Sequence, residues 1–248
     1  MKIFDNEIKK VYELLESLQS KNSKYEANKD ILTEKEQMIL KWDMIYELGG
    51  SEKNAICNVI VTEDETLVPQ NEICLYGPDL KEIEEDTDYA KILIVRFREG
   101  YISKLDEKKI YTLIRKISYL RYKVHMCGFM PRISTRRDRE PVRVDKNSVS
   151  TGLSIFDAGN SYIKRYLEQD GVVAVKTVFV TDKRADYKNL KKISDKCENI
   201  TASLDHILSG MVMDCSTCNL KEVCDEVDDL RSIHRKISDN TGDNNAER

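Results

Sequence analysis

Lys91-Ile-Leu-Ile-Val-Arg-Phe97, with the stripe Ile110, Leu113, Ile114, Ile117 and Leu120 a few residues beyond it, decides how this chain is built. The first stretch is a nearly unbroken apolar run of strand length, which reads as a strand buried on both faces. The second repeats at the period of a helix, so 106–121 reads as an amphipathic helix laid on the sheet that the strand belongs to. Three further runs add strands on either side: 55–61, β-branched and apolar; the short 72–76; and 172–180, Val-Val-Ala-Val-Lys-Thr-Val-Phe-Val. Trp42-Asp-Met-Ile-Tyr-Glu-Leu-Gly-Gly50 reads as a strand closed by a Gly-Gly turn, and a helix is expected near 157–168. A long helix carries Leu190, Ile193, Cys197, Ile200, Leu204, Ile207, Leu208 and Met211. The fold class is α+β: a mixed sheet with packed helices, followed by a C-terminal helical segment.

At the other end, Phe4, Ile8, Val11, Leu15 and Leu18 predict an amphipathic helix over 4–20. Residues 20–30 read as a polar linker, 33–40 as a second short helix, and 126–146 as a polar, arginine-rich connection. After Ile237 nothing remains to bury, and the tail is expected to be disordered. The division expected is 1–40 helical segment and linker, 41–185 main α+β domain, 186–237 helical segment with a cysteine motif, and 238–248 tail.

With 248 residues, 40% of them hydrophobic, the chain has enough apolar material for a real core. No run approaches the roughly 18 apolar residues of a membrane span. A net charge of −4 and a pI near 5.6 speak against a dedicated nucleic-acid binder. Seven cysteines, three of them clustered, fit a reducing cytoplasm better than a disulfide framework.

Those three are Cys215, Cys218 and Cys224, spaced C-x2-C-x5-C, and they read as a metal site. Asn219 and Glu222 form a capping-box pattern, which would set Cys218 and Cys224 around a helix N-terminus, where unpaired N–H groups favour thiolates. Three thiolates suit a [4Fe–4S] cluster with one iron open or ligated from elsewhere, whereas structural zinc wants four ligands. His234 stands ten residues past Cys224, about 15 Å along a helix, too far to complete the set. Cys197 lies on an apolar stripe and reads as a packing residue.

The second concentration of chemistry is Pro131-Arg-Ile-Ser-Thr-Arg-Arg-Asp-Arg-Glu-Pro-Val-Arg143, five arginines against two acids. Guanidinium forks bind phosphate in bidentate fashion, so such a loop can grip a phosphorylated ligand or an acidic partner. A solvated loop paired to Asp138, Glu140 and the acids of 82–88 is the competing reading.

Glu47-Leu-Gly-Gly50, Glu72-Ile-Cys-Leu-Tyr-Gly-Pro-Asp79, the 91–97 strand with its helix, Arg143-Val-Asp-Lys-Asn147 and Val175-Lys-Thr-Val-Phe-Val-Thr-Asp182 follow one another in a recognisable order. Over roughly 42–185 the chain resembles the middle domain of acetyl-CoA synthase, the nickel–iron–sulfur subunit of the carbon monoxide dehydrogenase/acetyl-CoA synthase complex. The resemblance implies an α+β domain with arginines near the coenzyme A entrance. Arg143 is the best-matched of them, and Arg132, Arg136, Arg137 and Arg139 occupy the adjoining loop. In the family, four cysteines hold the catalytic cluster, beginning C-x2-C with longer gaps to the third and fourth. Cys215 and Cys218 reproduce the first spacing, Cys224 comes too early, and no fourth cysteine follows. The expectation is therefore a stand-alone relative of one domain, not competent alone as a CO-methylating acetyl-CoA synthase-type acyltransferase. It would be an iron–sulfur accessory or partial subunit in an anaerobe's one-carbon or corrinoid metabolism, with nickel and coenzyme A as possible further ligands. Its partners would be the other subunits of such a system, and neither nucleic acid nor membrane. The alternative is a non-catalytic interaction module stapled by zinc.

Overall fold

The computed structural model describes residues 2–50, 52–208, 218, 220–227 and 230. The elements run α1 (Asp5–Leu15), β1 (Ser20–Lys24), β2 (Met44–Leu48), β3 (Ala55–Thr62), β4 (Glu72–Tyr76), β5 (Tyr89–Phe97), α2 (Glu107–Leu120), β6 (Phe129–Pro131), β7 (Val142–Asp145), α3 (Lys146–Ser150), α4 (Ile155–Leu167), β8 (Val172–Val180), α5 (Tyr187–Leu208) and α6 (Lys221–Glu226). The fold is α+β, as the patterning predicts. A five-stranded mixed sheet has the order β1-β4-β8-β5-β3, and a smaller antiparallel sheet has the order β2-β7-β6.

β8, the last strand among the described residues, lies in the middle of the large sheet, parallel to β4 and antiparallel to β5. Its apolar residues from Ala174 onward and all those of β5 are buried, which is why both stretches read as continuous runs. α4 packs across β8 and β4. A Ser154 capping box starts α4, with the Ser154 hydroxyl accepting from the Phe156 N–H and Asp157 accepting from the Ser154 N–H. α5 packs on β3, α1 and α2. Pairing of β3 with β5 brings Cys57 beside Lys91 on the face that meets Tyr162 of α4. Asn58, one residue on, turns to the opposite face and hydrogen-bonds Cys197 of α5.

Four expectations need correction. The first helix stops at Leu15, and 20–24 is not linker: these polar residues form edge strand β1 by pairing with β4. Residues 33–40 make no helix. They form an irregular segment against the small sheet, with Ile39 buried and Gln37 accepting from the Gly128 N–H. The 126–146 connection contains β6 and β7, whose side chains are largely buried.

Gly-Pro-Asp and Val-Phe-Val-Thr-Asp, 100 residues apart in sequence, meet at the carboxyl ends of β4 and β8. The Tyr76 carbonyl accepts from the Thr181 and Asp182 N–H groups at 2.8 and 3.1 Å, and the Thr181 hydroxyl donates to the Pro78 carbonyl at 2.7 Å. Gly77 has φ +115°, and a Cβ there would sit 2.4 Å from the Asp182 nitrogen, so only glycine fits. Asp79 then accepts from the Ile155 N–H at 2.8 Å and the Ser154 hydroxyl at 2.6 Å, fastening the start of α4.

Candidate functional site

The arginine segment folds back on the Glu47-Leu-Gly-Gly50 turn. Arg139 donates from Nη1 to the Lys53 carbonyl at 3.0 Å, and from Nη2 to the Gly49 and Gly50 carbonyls at 3.0 and 2.8 Å. A planar fork reaches all three; a lysine has no such geometry. Arg143, on β7, donates to the Ile39 carbonyl at 2.9 Å and lies 3.8 Å from Glu47, whose carboxylate also takes Arg132. Arg139 and Arg143 therefore hold the loops around the small sheet together.

Arg136 and Arg137 are different, because both are exposed. Arg136 pairs with Asp138 at 3.1 Å, and Lys191 of α5 reaches the same carboxylate at 2.6 Å. Burial pushes the Asp138 carboxyl up, but these two cations outweigh it and hold it below its ordinary value. Arg137 lies near Tyr111 and Arg115 of α2. The basic rim is thus the exposed Arg136 and Arg137 flanked by the half-buried Arg115 and Lys191, with guanidiniums suited to phosphate oxygens.

Beneath this loop is a cluster that periodicity did not reveal. Lys91, Arg121 and Glu140 are all buried, and Glu140 is shared: Lys91 donates to Oε1, and Arg121 Nε lies 3.5 Å from Oε2. Lys91 also donates to the Tyr162 hydroxyl, and Arg121 donates to Cys57 Sγ at 3.4 Å, to the Tyr122 hydroxyl at 2.8 Å and to the Arg137 carbonyl. Burial presses Lys91 toward neutrality, but Cys57, Glu140 and Tyr89 raise its pKa above the ordinary lysine value, so it stays protonated. The available signal was a lysine set among apolar residues at the start of a buried strand, which demands a buried partner. A cavity of about 40 Å³ opens beside Arg121 and Glu140, with Arg132, His125 and Phe129 also in its wall.

Of the cysteine motif, Cys218 and Cys224 are described and half-buried. The Cys218 carbonyl accepts from the Lys221 N–H at 3.2 Å, just ahead of α6, and Cys224 lies within that helix. The α6 N-cap is Leu220, with no side-chain cap bond, so the capping-box pattern does not start it. Val227 ends α6 in an extended conformation, so the helix does not run on continuously. Val227 and Leu230 are buried in the common core. Cys215, Asn219, His234 and the tail from 238 lie outside the described residues, so convergence of the three sulfurs does too. Cys197 is buried among apolar neighbours, the packing role its stripe predicts.

Comparison with known families fits these pieces together. A family model described as the CO dehydrogenase/acetyl-CoA synthase complex beta subunit matches residues 32–185. The chain belongs to this family. The match begins at residue 32, earlier than the motif order alone places it, and so takes in the irregular 33–40 segment. It contains every arginine discussed above together with the Lys91–Glu140–Arg121 cluster, and it stops before the cysteines. No curated protein matches the chain significantly.

Proposed function

We propose that this protein is an iron–sulfur accessory or partial subunit of a cytoplasmic carbon monoxide dehydrogenase/acetyl-CoA synthase or corrinoid one-carbon system. The observation that carries the reading is the family match over 32–185. The main domain is taken as 41–185, with 1–40, 186–237 and 238–248 flanking it. Cys215, Cys218 and Cys224 would supply thiolates to a [4Fe–4S] cluster. Half-burial of Cys218 and Cys224 suits ligands that must be reached by a metal yet shielded from bulk water. Such a cluster carries electrons or leaves one iron open for a further ligand, nickel included.

Coenzyme A would bind by its phosphates at Arg136 and Arg137, whose guanidiniums face solvent, while Arg139 and Arg143 keep the loop in position. Partner subunits find an apolar surface at the β2 edge, where Trp42 is 72% and Met38 64% exposed, with Leu40 and Ile45 beside them. Among the described residues no helix is long and apolar enough to cross a membrane.

The test is anaerobic purification with iron, sulfide, nickel and zinc analysis. Close to four irons and four sulfides per chain, lost on replacing Cys218 and Cys224 by serine, supports the reading. A colourless protein with one zinc sinks it. That outcome would establish the second reading, a zinc-stapled interaction module, which the packing of α6 on α5 favours. Calorimetry with coenzyme A tests the loop: absence of heat at millimolar ligand, with the Arg136→Ala/Arg137→Ala protein indistinguishable, retires coenzyme binding.

A further inference from the structure

Arg121 lies just past the end of α2 with its side chain 2% exposed, and its guanidinium is met by four partners. Nε ion-pairs with Glu140 at 3.5 Å, Nη1 donates to Cys57 Sγ at 3.4 Å, and Nη2 donates to the Tyr122 hydroxyl at 2.8 Å. Nη2 also donates to the backbone carbonyl of Arg137, whose own side chain is exposed. The carbonyls on either side are held by backbone: that of Arg136 accepts from the Arg139 N–H at 3.1 Å, and that of Asp138 from the Cys57 N–H at 2.8 Å. A planar fork with four partners cannot swing toward one without losing the others, so Arg121 is a rigid post beneath the loop.

From this geometry we infer that Arg121 is a positioning residue for Arg137: from inside the protein it fixes the backbone that carries the exposed guanidinium, and so sets that guanidinium's grip on a phosphate of coenzyme A. The inference rests on the coenzyme reading above and adds to it a residue that never touches the ligand. Bidentate contact with phosphate needs the guanidinium plane aligned, and a long side chain on a wandering backbone loses that alignment. Lys191 of α5 anchors the same loop at 2.6 Å, but through the Asp138 carboxylate, which leaves the Arg137 carbonyl to Arg121. Glu140 serves Arg121 in turn, holding its cation where that carbonyl is within reach.

Coenzyme A is titrated by calorimetry into the full chain as wild type and as Arg121→Lys, Arg137→Ala, the two combined, and Lys91→Met. Arg121→Lys keeps a cation against Glu140 but gives up the fork, and should weaken binding about tenfold, the size expected for one hydrogen bond to a charged group. Arg137→Ala should weaken it by about the same factor. On the Arg137→Ala background, Arg121→Lys should change affinity by less than about twofold, because the guanidinium it positions is gone; a purely structural loss would be felt equally on both backgrounds. Lys91→Met disturbs the same buried cluster but leaves the bond from Arg121 to Arg137, and should bind as the wild type does; it keeps the test decisive should Arg121→Lys not fold. The inference is overturned by unchanged affinity in Arg121→Lys, by additive losses in the combined variant, or by a loss in Lys91→Met as large as that in Arg137→Ala. No heat from the wild type retires the coenzyme reading and this inference together, so the two failures are told apart.

Discussion

Lys91 and Glu140 are paired in the interior, their side chains 0% and 2% exposed, and Arg121 approaches the same carboxylate from its other oxygen. Removing the carboxylate by Glu140→Gln leaves two buried cations with no counter-charge, for which a loss of about 3–5 kcal/mol is expected. Lys91→Met leaves Arg121 and Glu140 balanced one to one, so its loss should be distinctly smaller. Urea unfolding midpoints at constant slope measure both. Equal losses would refute the shared-carboxylate description.

Arg139 predicts a second contrast. Its fork joins the carbonyls of Gly49, Gly50 and Lys53, and Arg139→Lys keeps the charge while dropping most of those bonds. A loss of about 1–3 kcal/mol is expected. Arg136→Ala, at a residue 59% exposed, should stay within about 0.5 kcal/mol of wild type. The two variants compared in the same denaturation series decide whether the loop arginines differ as described.

Asp138 sets an acid-side prediction. Its folded pKa lies below the ordinary value of 3.8, so the unfolded chain takes up its proton first as the pH falls. The contribution is complete above 3.8 and is lost as the pH drops through the lower, folded value. Asp138→Asn should therefore show a shallower decline in unfolding free energy below about pH 4 than wild type does. Parallel acid limbs for the two proteins would contradict the pairing with Lys191 and Arg136.

The thiols should divide cleanly. Cys127 is exposed, while burial pushes Cys74 up to about 11 and Cys197 up to about 12 and also raises Cys57. Alkylation of native protein at pH 8, mapped by peptide mass, should label Cys127 early and leave Cys57, Cys74 and Cys197 until the chain unfolds. Labelling of Cys197 at the rate of Cys127 would show that α5 does not pack as described.

Much of this was legible from period alone. The runs at 55–61, 72–76, 91–97 and 172–180 and the stripes of α2 and α5 are strong because each buries a full face. β1 was not legible, since Ser-Lys-Asn-Ser-Lys is polar on both sides and becomes a strand only through the partner β4 supplies. Residues 33–40 carry local helical preference that the small sheet overrides, with Arg143 holding the Ile39 carbonyl and Met130 Sδ accepting from the Ile39 N–H. The arginine types pointed to phosphate chemistry, but sequence could not separate the two that face solvent from those turned inward. That distinction depends on where the Gly49 and Gly50 carbonyls end up.

The central place of β8 also has a consequence for synthesis on the ribosome. Until residues 172–180 have emerged, β4 and β5 have no strand to join them, and each presents an unpaired edge to the cell. A nascent chain released before that point would hold two unmated half-sheets prone to clumping, and a chaperone that shields such edges should be found on the growing polypeptide until β8 slots between them.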